Sequence, residues 1–121
     1  MNLETYKWKN RLLLIFPQQN IIPTQSEQYK AFQATPEKIR DRDILIFTLT
    51  TEQVYLFEDK TEISREQVIK KLDLESPPPM LVLIGKDGGI KYRSRKLVDP
   101  LIIYELIDSM PMRQQEMKNK R

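Results

Sequence analysis

Short apolar runs alternate along this chain with amphipathic segments, and that pattern predicts its secondary structure. Apolar residues fill positions 12–16, 44–49 and 80–84 with the exception of Thr48, and each run is bounded by polar residues, glycine or proline. Runs of this length without polar alternation are typical of strands that are buried on both faces. They therefore predict three central strands. Residues 54–57 are ambiguous between an extra edge strand and a packed loop.

Helices are predicted between these strands by apolar residues at helical spacing that follow helix-capping residues. Residues 24–27 and 64–67 each match a capping box, in which two side chains satisfy the first free amides of a helix. Asp99 and Pro100 precede a third helix as cap and first-turn proline. The apolar stripe of that helix, which we expect to pack on the sheet, is Ile102, Ile103, Leu106 and Ile107.

A hairpin is predicted at residues 80–95. Its turn is Lys-Asp-Gly-Gly at 86–89, residue types that tolerate a positive φ angle. A phosphate cradle is the alternative for this turn, but a cradle normally leads into a helix, and here a strand follows. The returning strand places Lys91, Arg93 and Arg95 on one face, which predicts a solvated strand near the sheet edge.

The order strand, helix, strand, helix, hairpin, helix predicts a single α/β domain. A parallel βαβ unit would be followed by an antiparallel β-hairpin in one mixed central sheet flanked by helices. This is the layout of a thioredoxin-like fold. We expect the domain to span residues 1–112, followed by a polar, basic tail at 113–121 that frays.

Composition removes most familiar active sites. The 121 residues include no cysteine and no histidine, which excludes thiol catalysis, disulfides and the commonest general base and metal ligand. The carboxylates do not follow the spacing of a calcium loop. The sequence therefore predicts no metal and no cofactor. The first residues lack the layout of a signal peptide, so we expect a cytoplasmic location, or a periplasmic or secreted one if a signal peptide has been removed.

Three segments resemble a known family. They are YKWKNRLLL at 6–14, LIGKDGG at 83–89 and LIDSMPMRQQEM at 106–117, and together they reach both ends and the centre of the chain. They resemble the domain of unknown function family 4174, which is also found in sushi-repeat-containing and equarin-like secreted proteins. The resemblance implies a thioredoxin-like fold and no established activity.

The fold resemblance also implies where a site would lie. Thioredoxins carry their redox cysteines just after the first central strand, where this chain has Gln18, Gln19 and Asn20. A cis-proline faces them just before the hairpin, where this chain has Pro79 and Met80. Pro79 is cis if the resemblance holds there and trans otherwise. Thiol exchange needs a thiolate, so conventional oxidoreductase activity is excluded.

The function that these observations favour is a non-catalytic module that binds another protein or peptide through Gln18, Gln19, Asn20, Pro79 and Met80. The alternative is an enzyme that uses non-cysteine residues or a bound cofactor. A lesser alternative is nucleic-acid binding through the strand from Lys91 to Lys96, although nearby acidic residues dilute its charge. No membrane interaction is expected.

Overall fold

One six-stranded mixed sheet forms the centre of the molecule. The structure is a computed structural model, and it describes residues 3–119. The strands are β1 (Arg11–Ile15), β2 (Ile44–Leu49), β3 (Val54–Leu56), β4 (Asp59–Lys60), β5 (Leu81–Ile84) and β6 (Ile90–Ser94). Their order across the sheet is β4-β3-β2-β1-β5-β6.

The strand pairing confirms the predicted topology. β1 and β2 are parallel, with Arg11 opposite Ile44 and Ile15 opposite Thr48, as a βαβ unit requires. β5 is antiparallel to β1, and β6 is antiparallel to β5, so the predicted hairpin forms one side of the sheet. The ambiguous residues 54–57 contribute β3, which pairs antiparallel with β2 and extends the other side.

Helices cover both faces of the sheet. Five α-helices are described: α1 (Glu27–Gln33), α2 (Pro36–Asp41), α3 (Arg65–Lys71), α4 (Pro100–Asp108) and α5 (Pro111–Asn119). One apolar layer joins the sheet to α1, α2 and α4 through residues such as Phe32, Ile39 and Ile103. The other layer joins it to α3 and to a 3-10 helix at Leu3–Tyr6. The layer against α1, α2 and α4 and the layer against α3 together form the core.

The helix caps agree with the sequence at two of three positions. Ser64 accepts a hydrogen bond from the Gln67 amide, and Asp99 accepts one from the Leu101 amide. The predicted cap at Thr24 is wrong, because Pro23–Gln25 form a short 3-10 helix there. Ser26 caps α1 instead and accepts a hydrogen bond from the Tyr29 amide.

The predicted buried stripe of α4 is displaced by part of a turn. Ile103, Tyr104 and Ile107 are buried, whereas Ile102 is 49% exposed. Leu106 is half-buried. The Tyr104 ring packs edge-on against Phe32 of α1, and its hydroxyl lies 2.7 Å from the Thr35 hydroxyl. These contacts turn the helix so that Ile102 faces solvent.

The expectation that the tail at residues 113–121 frays is wrong over residues 113–119. These residues belong to helix α5, and the predicted domain boundary at residue 112 falls within it. Its Arg113 side chain is buried, and Glu116 contacts the first strand. Residues 120 and 121, which were also assigned to the tail, lie outside the described residues.

The hairpin turn and the prolines before β5 were both subjects of sequence predictions. In the hairpin turn, Gly88 has a φ of 88°, the left-handed conformation that favours glycine, and so the turn is as predicted. Within residues 3–119 the cis peptide bond is Ser76–Pro77, and Pro79 follows a trans bond.

No helix in this part of the chain is long and apolar enough to cross a membrane.

Candidate functional site

The predicted site residues meet at one end of the sheet. We call this the upper end, where β1 and β2 finish and β5 begins. Gln18, Gln19 and Asn20 lie in the loop that follows β1. The Phe16 amide donates a hydrogen bond to the Met80 carbonyl at 2.8 Å, which brings the segment before β5 beside that loop. The structure therefore brings together the two segments that the sequence analysis paired.

The side chains at the upper end differ in accessibility. Gln18, Gln19 and Asn20 are exposed, and Asn20 Oδ1 accepts a hydrogen bond from the Thr51 hydroxyl at 3.0 Å. Met80 is half-buried, but Pro79 is buried. Three amides and part of Met80 are thus accessible from solvent, whereas Pro79 is not.

Exposed aliphatic side chains at the same end were missed by the sequence analysis. They are Ile22 at 49%, Leu97 at 57%, Leu101 at 52% and Ile102 at 49% exposure. Gln28 at the start of α1 exchanges two 2.8 Å hydrogen bonds with the Val98 backbone, which ties the segment before α4 to the segment before α1. The apolar run at 101–103 could have indicated an exposed aliphatic side chain, since one helix face cannot bury three consecutive residues.

The opposite, lower end of the sheet carries an ionic cluster. It joins four cationic and four acidic side chains from β1, α2, α4, α5 and the loops beside them. The members are Arg11, Asp41, Arg42, Asp43, Lys86, Asp108, Arg113 and Glu116.

Arg11 and Lys86 meet at Glu116. The Arg11 guanidinium is 1% exposed and donates two hydrogen bonds to the Glu116 carboxylate, both at 3.2 Å. Lys86 Nζ donates to Glu116 Oε2 at 2.7 Å and to Asp43 Oδ2 at 2.9 Å. Burial alone would raise the pKa of Glu116, but the hydrogen bonds from Arg11 and Lys86 outweigh it and the pKa is lowered.

Arg113 connects α5 to the other half of the cluster. Its guanidinium donates to Asp41 Oδ2 at 2.6 Å and to Asp108 Oδ1 at 3.0 Å. Arg42 also donates to Asp108. Burial opposes ionisation of Asp108, yet the hydrogen bonds from Arg42 and Arg113 lower its pKa overall. The cluster has balanced charge and joins elements to one another, as a structural network does.

A groove of about 570 Å³ opens on the α3 face of the sheet near the lower end. It lies between the 3-10 helix at Leu3–Tyr6, helix α3 and the hairpin turn. Its floor is made of aliphatic side chains: Leu3, Leu12, Ile63, Val68, Leu72 and Ile84. Its charged rim comprises Glu4, Lys7, Lys70, Lys71 and Asp87. No residue of the predicted site lines this groove.

The comparisons with known proteins settle the family. A profile described as "Domain of unknown function (DUF4174)" matches residues 2–116. The chain belongs to this family. No curated protein matches the sequence at a significant level.

Two solved structures share the fold of this DUF4174 domain. The mitochondrial 2-Cys peroxiredoxin of Plasmodium falciparum superposes with a TM-score of 0.58 at 13% identity, over 88% of this chain and 79% of that one. The reduced 2-Cys peroxiredoxin of Plasmodium vivax gives a TM-score of 0.59 at 14% identity, over 93% and 84% of the two chains. Peroxiredoxins have a thioredoxin fold, so the thioredoxin-like prediction is confirmed. The cysteines in the names of both proteins have no counterpart in this DUF4174 domain, which contains none.

The three segments that carried the family resemblance meet in the ionic cluster of the DUF4174 domain. Arg11 belongs to residues 6–14, Lys86 to residues 83–89 and Glu116 to residues 106–117. Segments that lie far apart in sequence therefore share one contact point in the fold.

Proposed function

We propose that this protein is a non-catalytic binding module that engages another protein through the upper end of its sheet. The surface combines the predicted residues Gln18, Gln19, Asn20, Pro79 and Met80 with the exposed aliphatic side chains Ile22, Leu97, Leu101 and Ile102. The observation that carries the proposal is this concentration of exposed aliphatic and amide side chains at one end. Contiguous exposed apolar surface on a domain of this size is typical of an interaction site.

The chemistry of the surface suits a polypeptide partner. Amide side chains can donate to and accept from a peptide backbone, as Gln28 already does with Val98 within the domain. Aliphatic side chains supply the desolvated contacts that carry most of the binding energy at protein interfaces. The named surface residues include no charged group, which favours a neutral protein surface over a polyanion.

Two carboxyls of the ionic cluster are poorly suited to acid-base catalysis. Asp108 and Glu116 have lowered pKa values because of their hydrogen bonds to arginine and lysine, although burial acts in the opposite direction. A general acid or base works best with a pKa near the working pH, and these carboxyls are shifted away from it. No thiolate is present in the chain to replace them as a nucleophile.

The basic strand is a weaker candidate for nucleic acid. Arg93 and Arg95 both pair with Glu75, at 2.6 and 3.3 Å, and Lys91 pairs with Asp87 at 2.9 Å. These acids neutralise part of the charge that phosphates would need to contact.

Affinity capture with surface variants tests the proposal. The tagged protein is incubated with extracts of the source cell, from the cytoplasm that we expect to contain it and from the periplasm or culture medium. Gln18→Ala, Gln19→Ala and Asn20→Ala are combined in one variant, and Leu101→Ser and Ile102→Ser in a second. We expect each variant to lose about tenfold or more in affinity for the captured protein, because it removes central contacts.

Matched substitutions at the other end of the molecule provide the control. Gln114→Ala, Gln115→Ala and Asn119→Ala remove three exposed amides from α5 and should leave capture unchanged. The free energy of unfolding of each variant should lie within about 0.5 kcal/mol of the native value, since the altered side chains are exposed. The proposal fails if the captured protein binds the upper-end variants and the control equally well. Capture that disappears with nuclease treatment and high salt would instead favour nucleic acid.

A further inference from the structure

The groove on the α3 face is independent of the proposed protein-binding surface and has a different character. Its floor is aliphatic and continuous with the core, since Leu12, Val68 and Ile84 are each at most 5% exposed. Leu3 of the 3-10 helix and Leu72 at the end of helix α3 are half-buried, so the accessible apolar surface of the groove lies mainly on these two side chains. A volume of about 570 Å³ falls within the range of small-molecule sites.

The rim of the groove carries more free positive than negative charge. Glu4 is engaged by Lys71 at 2.8 Å, and the hydrogen bond from Lys71 lowers its pKa. Asp87 is engaged by the Gly89 amide and by Lys91, both at 2.9 Å. Among residues 3–119, neither Lys7 nor Lys70 lies within ion-pair distance of a carboxylate. Both carboxylates of the rim are thus occupied. Lys7 acts on Glu4 only from beyond ion-pair distance, so Lys7 and Lys70 can both contact a ligand.

Lys7 is held at the mouth of the groove by packing. Its ammonium group lies 5.7 Å from the centroid of the Trp8 ring. Its aliphatic stem lies against the hairpin turn, since a Cβ atom added at Gly88 would be 3.4 Å from Lys7 Cε. Lysine stems that pack in this way keep the charged head directed to solvent and to ligands at the surface.

From the floor and the rim together we infer that the groove binds a small amphipathic anion. The ligand has an unbranched or cyclic apolar body that lies on the aliphatic floor and a single anionic head, such as a carboxylate, that contacts Lys7 and Lys70. Burial of the body supplies most of the affinity, because it removes the apolar surface of the ligand itself, and the exposed parts of Leu3 and Leu72, from water. The two ammonium groups select an anionic head over a neutral or cationic one.

Three probes with the same apolar tail test this inference by isothermal titration calorimetry, below the micellar concentrations of the two charged probes and below the aqueous solubility of the neutral one. They are dodecanoate, dodecanol and dodecyltrimethylammonium, whose heads are anionic, neutral and cationic. We expect one dodecanoate to bind per chain, about tenfold more tightly than the cationic probe. The double variant with Lys7→Gln and Lys70→Gln should bind dodecanoate about fivefold to tenfold more weakly. It should bind dodecanol with an unchanged affinity.

Two further variants locate the site. Gln67→Trp places a large side chain over the groove from an exposed position and should weaken binding of all three probes. A double variant with Lys30→Gln and Lys96→Gln removes two exposed lysines that do not line the groove and should change nothing. The inference is overturned by equal affinity for the three heads, by undetectable binding of dodecanoate, or by dodecanoate binding that neither the lysine pair nor Gln67→Trp affects.

Discussion

Arg11 is the residue whose environment most constrains this fold. It begins β1 with a guanidinium that is 1% exposed, and a buried cation is costly unless it is paired and hydrogen-bonded. The Arg42 carbonyl accepts one of its hydrogen bonds at 2.9 Å, and the Glu116 carboxylate accepts two more. Glu116 also pairs with Lys86, which has Asp43 as a second partner, so two buried cations share the Glu116 carboxylate.

Replacing Glu116 should therefore change both stability and its dependence on pH. In Glu116→Gln the buried cations Arg11 and Lys86 lose their shared anion, and we expect a loss of about 2–3 kcal/mol in the free energy of unfolding near neutral pH. The folded-state pKa of Glu116 is below its ordinary value of 4.5, so its stabilisation is fully present above 4.5 and is lost as the pH falls through the folded pKa. The difference between native and variant proteins should consequently shrink under acid conditions.

Urea unfolding at neutral pH and at several acid pH values measures this difference. Glu105→Gln is the matched control, because Glu105 is an exposed carboxylate on α4 outside the ionic cluster. A constant difference between the native protein and Glu116→Gln across the acid range would contradict the assigned role of Glu116.

Individual ion pairs of this kind could not be predicted from the sequence. The turn at residues 86–89 was predicted because its residue types tolerate a positive φ angle, which Gly88 adopts. The burial of Lys86 in the same turn depends on Glu116, which is 30 positions away along the chain. The burial of Arg11 depends on the same Glu116, which is 105 positions away from it. Such pairings have no periodicity and no fixed spacing that a sequence pattern could show.

At the level of elements, helices were predicted where a cap and an apolar stripe agreed. Helix α3 begins as expected at Ser64, but the stripe of α4 did not identify its buried face. Residues 101–103 are all apolar, so helical spacing allows more than one face to be buried. The contact of Tyr104 with Phe32 and Thr35 selects the face that includes Ile103.

Adjacent isoleucines in α4 allow this selection to be measured. Ile103 is fully buried at 0% exposure, and Ile103→Ala should lower the free energy of unfolding by about 2–4 kcal/mol through lost burial and the cavity that remains. Ile102→Ala makes the same chemical change one residue earlier, at 49% exposure, and should cost less than about 0.5 kcal/mol. Equal losses in urea unfolding would show that the face of α4 has been assigned incorrectly.

Helix α5 was not predicted because ion pairs, rather than an apolar stripe, attach it to the rest of the domain. Its sequence PMRQQEMKN has no regular apolar face. Arg113 and Glu116 instead attach it to Asp41, Asp108, Arg11 and Lys86. A polar segment near a terminus is normally predicted to be a disordered tail, and here buried partners on other elements make it part of the domain.

At the level of the whole molecule, the sheet separates two surfaces of different chemistry. The upper end presents amides and aliphatic side chains, and the lower end holds the ionic cluster beside the cationic mouth of the groove. The resemblance to thioredoxins implied that Gln18 and Met80 lie together, and in the structure the antiparallel pairing of β1 with β5 brings the end of β1 beside the start of β5. The groove was not predictable, since it depends on how the 3-10 helix, helix α3 and the hairpin turn are placed relative to one another.

The two proposed sites should consequently act independently. Five residues of β1 separate the two ends of the sheet by about 13 Å, and effects of substitutions at such distances usually add. We expect the variant with Gln18, Gln19 and Asn20 replaced by alanine to bind dodecanoate within about twofold of the native affinity in calorimetry. In affinity capture, the variant with Lys7 and Lys70 replaced by glutamine should retain the protein partner. A change of about tenfold or more in either of these two affinities would contradict independence. Coupling between binding sites is reciprocal, so it would then require a two-state element that both sites influence.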